Sequence, residues 1–155
     1  MNDKELERAR INHFKQELKS MKYLINQSEE YLKLYEEAEH KLNNIKSPFT
    51  NSSEKGSSNS TFDQRFSYWL SKKQKALYDH RRYQARVDEI ICTLEMMDPT
   101  ERRIITDIYM KGYTFDYISM KYEITRRELQ NLVDKTISYY LTGMQNRKCR
   151  TRDLL

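Results

Sequence analysis

The sequence predicts an all-α protein in which two long helices, forming a helical arm, precede a unit of three short helices. The chain of 155 residues has only 3 Gly and 2 Pro, and sheets and barrels need many more tight turns than these residues can supply. Apolar residues recur at steps of three and four over most of the chain, which is the period of a helix. Helix start and stop residues then frame three short helices between residues 98 and 143.

A seven-residue apolar pattern over residues 1–46 predicts one long amphipathic helix of the coiled-coil kind. One apolar position holds Ile11, Leu18, Ile25 and Leu32, and the other holds Phe14, Met21, Tyr35 and Leu42. Ser28 is the polar interruption of this pattern. A helix of this length cannot bury the stripe against itself, so it requires a partner. The partner is either the second long helix of the same chain or a second copy of the protein.

Residues 47–61 predict a flexible linker, because Pro48 disfavours a helix and the Ser/Asn-rich run buries little apolar area. Residues 62–97 then predict the second long helix. Its centre is weak, because Lys73, His80 and Gln84 stand where apolar residues are expected. Its last turns are strongly apolar, and Cys92 is expected there as a small buried hydrophobe.

Residues 98–143 carry paired start and stop signals for three short helices. In chain order the signals are a capping box of Asp98 and Glu101, Gly112, Thr114, a second capping box of Thr125 and Glu128, and Gly143. Three helices with a short turn between the second and the third form a helix-turn-helix unit. Such a unit places the start of its third helix in the major groove of DNA.

The third helix begins with polar and basic side chains that point away from its apolar stripe. Arg bonds guanine edges at two points, and Gln or Asn does so with adenine. Helix starts, turns and the basic tail at residues 144–155 are suited to phosphates. The sequence therefore predicts binding of double-stranded DNA through Thr114, Lys121, Thr125, Arg126, Arg127, Gln130, Asn131, Lys135, Arg147, Lys148 and Arg150.

Residues 98–141 resemble the helix-turn-helix of sigma-factor region 4. The resemblance rests on Tyr109, Gly112, Thr114, Ile118-Ser119, Ile124-Thr125 and Arg126-Arg127. Combined with long helices in a short chain, this segment looks like the phage-encoded late transcriptional regulators of the ArpU/RinA type. The resemblance implies control of late phage genes in a bacterial host cell. Glu123 stands where the pattern has a turn Gly, which predicts a less strained or differently shaped turn.

Charge and composition narrow the function classes. The net charge is +5, but residues 98–141 carry seven Lys/Arg against seven Asp/Glu, so the helix-turn-helix unit is electrically balanced. The sequence has no phosphate-cradling Gly-rich loop, no HExxH and no recognisable nucleophile elbow. We therefore expect a protein that is not an enzyme, without a metal or cofactor. The sequence also lacks a signal peptide and a membrane span, which predicts a cytoplasmic protein.

Several partners and two rival functions remain open at this point. The long helices are expected to contact RNA polymerase or to form a homodimer. A small terminase subunit also combines a helix-turn-helix with helical oligomerisation segments, and it would recognise a packaging site. Alternatively, the three-helix unit binds protein and not DNA, a structural or interaction role that its balanced charge allows.

Overall fold

The structure, a computed structural model, describes residues 2–45 and 58–152, and every regular element in those ranges is a helix. The helices are α1 (Asp3–Lys19), α2 (Met21–Asn43), α3 (Ser58–Met96), α4 (Pro99–Tyr109), α5 (Phe115–Lys121) and α6 (Arg126–Arg152). Residues 46–57, most of the predicted linker, lie outside the described residues, and so do the side chains of residues 58–60 and 144–152. The prediction of an all-α fold is confirmed.

The chain divides into two compact units. The first, called the terminal unit here, combines Met1–Lys22 with Val87–Leu155. The second, called the hairpin unit, spans Tyr23–Arg86. As a result, α1 shares a compact unit with α4, α5 and α6, although α1 ends at Lys19 and α4 begins only at Pro99.

The predicted single helix over residues 1–46 is interrupted at Ser20. The amide of Ser20 donates to the carbonyls of Gln16 and Glu17, at 3.0 and 3.1 Å, and closes α1. The buried stripe also shifts at this point. Leu18 is buried before the break, whereas Leu24 is buried after it and the expected heptad position, Ile25, is 37% exposed. The position of Phe14 therefore continues into α2 with the buried Met21 and Ser28, whereas the position of Leu18 moves back by one residue, to Leu24.

Within the hairpin unit, α2 and α3 run antiparallel. The Tyr31 and Tyr83 rings stack with centroids 5.6 Å apart, and the ammonium of Lys41 lies 5.8 Å from the centroid of the Trp69 ring. Partner numbers thus fall along α3 as they rise along α2, which fixes the direction. The two helices pair within one chain, one of the two arrangements that the sequence left open.

The polar positions of the two long helices meet in one cluster, in which Ser28 is buried and His80 and Gln84 are half-buried. Ser28 is 2% exposed, and its hydroxyl donates to Oε1 of Gln84 at 2.8 Å. Nδ1 of His80 lies 2.8 Å from the carbonyl oxygen of Ser28. A carbonyl only accepts, so this ring nitrogen carries the proton and donates. The polar residues that interrupt the apolar stripes of α2 and α3 therefore form hydrogen bonds with one another between the two helices.

The core of the terminal unit consists of apolar side chains from α1, the last turns of α3 and the three short helices. Its most deeply buried members include Leu18, Ile90, Ile105, Ile118, Leu129, Val133 and Ile137. At the end of α3, the guanidinium of Arg102 donates to the carbonyls of Leu94 and Met97, at 3.0 and 3.2 Å. These bonds satisfy terminal carbonyls that have no partner within the helix.

Three local predictions are wrong. The Asp98 side chain makes no capping hydrogen bond, so the capping box with Glu101 does not form; Pro99 begins α4 without it. Cys92 is exposed, because the buried positions near it are Ile90 and Thr93. Gly143 does not end the third helix, and α6 continues to Arg152, well into the predicted basic tail. Since α3 begins at Ser58, the end of the predicted linker is also helical.

In the turn between α5 and α6, the residue in the left-handed conformation is not a glycine. Glu123 has φ +57°, a region that L side chains enter at a cost of about 1–2 kcal/mol. The amide of Ile124 donates to the carbonyl of Ser119 at 3.0 Å, the bond of a Schellman motif, and this motif requires a left-handed residue before Ile124. The expectation of a less strained or differently shaped turn is therefore wrong. Gly112, at φ +80°, ends α4 with the same handedness, as predicted.

Replacing Ser28 tests the buried polar cluster. We expect Ser28→Ala to lower the free energy of unfolding by about 1–2 kcal/mol, because Gln84 loses a buried hydrogen bond. Urea denaturation followed by circular dichroism measures this change. Asn26→Ala, at an exposed position of α2, is the control and should change stability by less than about 0.5 kcal/mol. Equal stabilities of the two variants would contradict the assigned role of Ser28.

Replacing Glu123 tests the strained turn. We expect Glu123→Gly to raise the free energy of unfolding by up to about 1 kcal/mol, because glycine relieves the left-handed strain and loses part of that gain to backbone entropy. Glu123→Gln retains the Cβ and should leave the strain unchanged. Thermal denaturation of both variants separates backbone strain from the charge of the carboxylate. A glycine variant less stable than the glutamine variant would argue against strain at this position.

Candidate nucleic-acid interface

Two side-chain caps set where α5 and α6 begin. Oγ1 of Thr114 accepts the amide of Tyr117 at 3.1 Å and starts α5. The predicted capping box forms at α6. Oγ1 of Thr125 accepts the amide of Glu128 at 3.1 Å, and the Glu128 carboxylate accepts the amide of Thr125 at 3.0 Å. These bonds, with the turn at Glu123, determine which side chains α6 presents at its first turns.

In the structure, the predicted contact residues of α5, the turn and the first turns of α6 are exposed to solvent. The exposed ones are Thr114, Lys121, Thr125, Arg126, Arg127, Gln130, Asn131 and Lys135. Behind them, Leu129 and Val133 are buried and hold α6 against the core. The three predicted tail residues, Arg147, Lys148 and Arg150, lie on α6, but their side chains are outside the described residues.

The exposed residues of α6 fall into two groups. Arg127, Asn131 and Lys135 recur at intervals of four, so they share one outward face that we call the basic face. Gln130 is set apart from this face and lines one cleft shared with α1, and Lys135 borders a second cleft with the same helix. Arg126 points towards α5, and its guanidinium lies 3.5 Å from the Asp116 carboxylate. Both partners of this pair are largely exposed, so it is weak and easily exchanged for a phosphate.

Helix α1 packs along one side of α6, a contact that the sequence analysis missed. Nζ of Lys15 lies 2.5 Å from Oδ1 of Asp134, and the Ser138 hydroxyl donates to the Glu7 carboxylate. Partner numbers fall along α1 as they rise along α6, so these helices run antiparallel. The sequence shows that polar residues repeat along one side of α1, which we call its polar stripe, but nothing in it indicated which helix they would contact.

The Lys15 ammonium, which forms an ion pair with Asp134, also lies near an aromatic ring. It lies 5.8 Å from the centroid of the Tyr109 ring, and Lys19 lies 5.9 Å from the same centroid. Burial lowers the pKa of Lys15, but the hydrogen bond and charge of Asp134, together with Tyr109, outweigh burial and raise it above 10.5. Burial also raises the pKa of Tyr109 above 10.0, against the opposing effect of Lys15.

In the part of the chain that the structure describes, no group of three or more His, Cys, Asp or Glu side chains is arranged to hold a metal ion. No helix within that part has the length and apolar character required to cross a bilayer.

Comparison of the chain with models of known protein families, with curated proteins and with solved structures found no match.

Replacing Lys15 tests the contact between α1 and α6. We expect Lys15→Gln to lower the free energy of unfolding by about 1–2 kcal/mol, because Asp134 loses a charged hydrogen bond. Lys33→Gln, at an exposed position of α2, is the matched control and should leave stability unchanged. Urea denaturation near neutral pH makes the comparison. Equal effects of the two substitutions would show that the ion pair does not contribute.

The same pair predicts a loss of stability at alkaline pH. The pKa values of Lys15 and Tyr109 are both raised in the folded protein, so the unfolded chain releases these protons first as pH rises past 10.0 and 10.5. Stability is complete below that range and is lost as pH rises through it. We expect Tyr109→Phe to show a smaller loss between neutral and alkaline pH than the unmodified protein, because it removes the Tyr109 proton and also part of the interaction that raises the pKa of Lys15. Parallel stability curves for the two proteins would refute this assignment.

Proposed function

We propose that the protein is a sequence-specific regulator of transcription that binds double-stranded DNA through α5 and α6. The observation that supports this most directly is the basic face of α6, which begins at Arg127, stands clear of the core and follows a capped, short turn from α5. An α-helix fits the major groove of B-DNA, and a recognition helix presents its first turns to the base edges.

Spacing on the basic face suits recognition of neighbouring base pairs. Arg127 and Asn131 are four residues apart, a rise of about 6 Å along the helix. Successive base pairs are about 3.4 Å apart, so the two side chains reach positions within about two steps of each other. In this arrangement Arg127 bonds a guanine and Asn131 an adenine, and Lys135 binds a backbone phosphate.

Phosphate contacts around this face come from α5 and the turn. Lys121 ends α5 and Thr125 begins α6, so both lie beside the start of the recognition helix. Arg126 exchanges its ion pair with Asp116 for a phosphate when DNA binds. Arg147, Lys148 and Arg150 would extend the contacts along α6, as the sequence predicts.

The biological setting follows from the resemblance to phage late transcriptional regulators and to sigma-factor region 4. On that basis the protein acts in the cytoplasm of a bacterial host, controls late phage genes, and uses no cofactor and no catalytic step. RNA polymerase is a further proposed partner. These points rest on the motif residues between Tyr109 and Arg127. They would fail if the proposal of DNA binding failed.

Substitutions on the basic face test base recognition. A preferred duplex is first selected from a random pool with the purified full chain. We expect Arg127→Ala and Asn131→Ala each to lower discrimination between the selected and a scrambled duplex by about 1–3 kcal/mol. Lys135→Ala should weaken binding to both duplexes equally, as loss of a phosphate contact does.

The matched control is Arg81→Ala, an exposed arginine of α3 within the hairpin unit. It should leave both affinities unchanged, as measured by fluorescence anisotropy at one fixed salt concentration. Failure of the pool to yield any preferred duplex would overturn sequence-specific binding. Unchanged discrimination in both the Arg127 and Asn131 variants would overturn the assignment of α6 as the recognition helix.

A further inference from the structure

The polar stripe of α1 lies along the same side of the terminal unit as part of α6. A cleft of about 460 Å³ is lined from α1 by Asn12, Lys15, Gln16 and Lys19, and from α6 by Gln130 and Asp134. Asn12, Gln16 and Lys19 are exposed, whereas the packing of α1 is supplied by the buried Ile11, Phe14 and Leu18. Asn12, Gln16 and Lys19 are therefore not needed to hold α1 in place.

A second cleft continues this side towards the start of α1. It also measures about 460 Å³, and Lys4 and Arg8 from α1 line it together with Lys135 and Tyr139 from α6. Lys4, Arg8 and Lys19 are all exposed. They lie on one side of α1, because their spacings are close to whole numbers of helical turns. Cationic side chains thus line both clefts between α1 and α6.

The ion pair between Lys15 and Asp134 neutralises one of the two carboxylates that line these clefts, and the other, Glu7, accepts a hydrogen bond from Ser138. Asp134 lines both clefts, and its carboxylate is bonded by Lys15 at 2.5 Å. Helix α1 carries five Lys/Arg against four Asp/Glu, so it adds one positive charge to a helix-turn-helix unit that is balanced by itself. The surface that α6 shares with α1 is consequently more positive than residues 98–141 indicate.

Helix dimensions determine where α1 would lie on a duplex. Packed helices have axes about 8–10 Å apart, and a helix with its side chains is about 10–12 Å wide. The major groove is about 12 Å wide, so it admits α6 but not α1 beside it. A helix that flanks the recognition helix then lies over the sugar-phosphate strand that borders the groove.

We propose that α1 is a second DNA-contacting element, in which Lys19 and Arg8 bind phosphates of the strand bordering the groove occupied by α6. Lys15 positions α1 through Asp134 and neutralises that carboxylate. This inference rests on the proposed function and extends it: α6 supplies sequence recognition, while α1 supplies affinity that does not depend on sequence. The N-terminal helix thereby compensates for the balanced charge of the helix-turn-helix unit.

Salt dependence of DNA binding provides the test, with the full chain and a mixed-sequence duplex several helical turns long. Each phosphate contact contributes about 0.9 to the slope of log affinity against log salt. We expect the double variant Arg8→Gln/Lys19→Gln to lower the slope by about 1–2 and to weaken binding by about tenfold or more near 0.1 M salt. Preference for the selected over the scrambled duplex should stay the same.

The control double variant is Lys33→Gln/Arg81→Gln, which removes the same formal charge from exposed positions of the hairpin unit. Its slope should equal that of the unmodified chain. Gln16→Lys tests a gain of function: it places a cation between Arg8 and Lys19 on an exposed position and should raise the slope by about 1. Circular dichroism confirms that each variant is folded.

The outcomes separate this proposal from the function on which it rests. If the unmodified chain shows no salt-dependent binding to any duplex, the proposed function fails and the role of α1 fails with it. If the unmodified chain binds and Arg127→Ala lowers discrimination, but the α1 double variant matches the control, only the role of α1 is overturned. A lowered slope in the control variant as well would reduce the effect to net charge and would also overturn it.

Discussion

The packing of α5 against α6 across a short, left-handed turn is the constraint on which the candidate interface depends. Ile118, Leu129 and Val133 are almost fully buried, so neither helix can rotate about its axis without exposing them. The Schellman bond to Ser119 and the conformation of Glu123 then fix how α6 leaves the turn. Because the apolar side of α6 is held in the core, its basic face must point to solvent.

Buried polar groups specify the hairpin unit more closely than its apolar stripe does. A stripe of apolar residues tolerates shifts in register, whereas Ser28 is satisfied only when His80 and Gln84 lie opposite it. A shifted register would leave the buried Ser28 hydroxyl without these partners, at a cost of about 1–3 kcal/mol. Polar interruptions in two otherwise amphipathic helices therefore select one alignment of α2 with α3.

Electrostatics links the N-terminal helix to the proposed DNA-binding surface. Counted alone, residues 98–141 are neutral and give a weak argument for a polyanion partner. The fold changes this balance, since Lys15 neutralises Asp134 and Lys19 stands at the edge of the same cleft. The charge of a binding surface is thus set by which helices lie side by side and not by which residues are consecutive.

The sequence alone determined what local chemistry controls: the all-helical fold, the caps at Thr114 and Thr125, the stop at Gly112 and the exposed residues of α6. The caps and the stop each depend on residues within about one helical turn, so a short stretch of sequence is enough to predict them. Tertiary structure decided the pairing of α1 with α6. The break at Ser20 and the continuation of α6 through Gly143 were also visible only in the structure. Amphipathic stripes state that a helix must be covered but not by what, and only the packed chain brings Lys15 to Asp134.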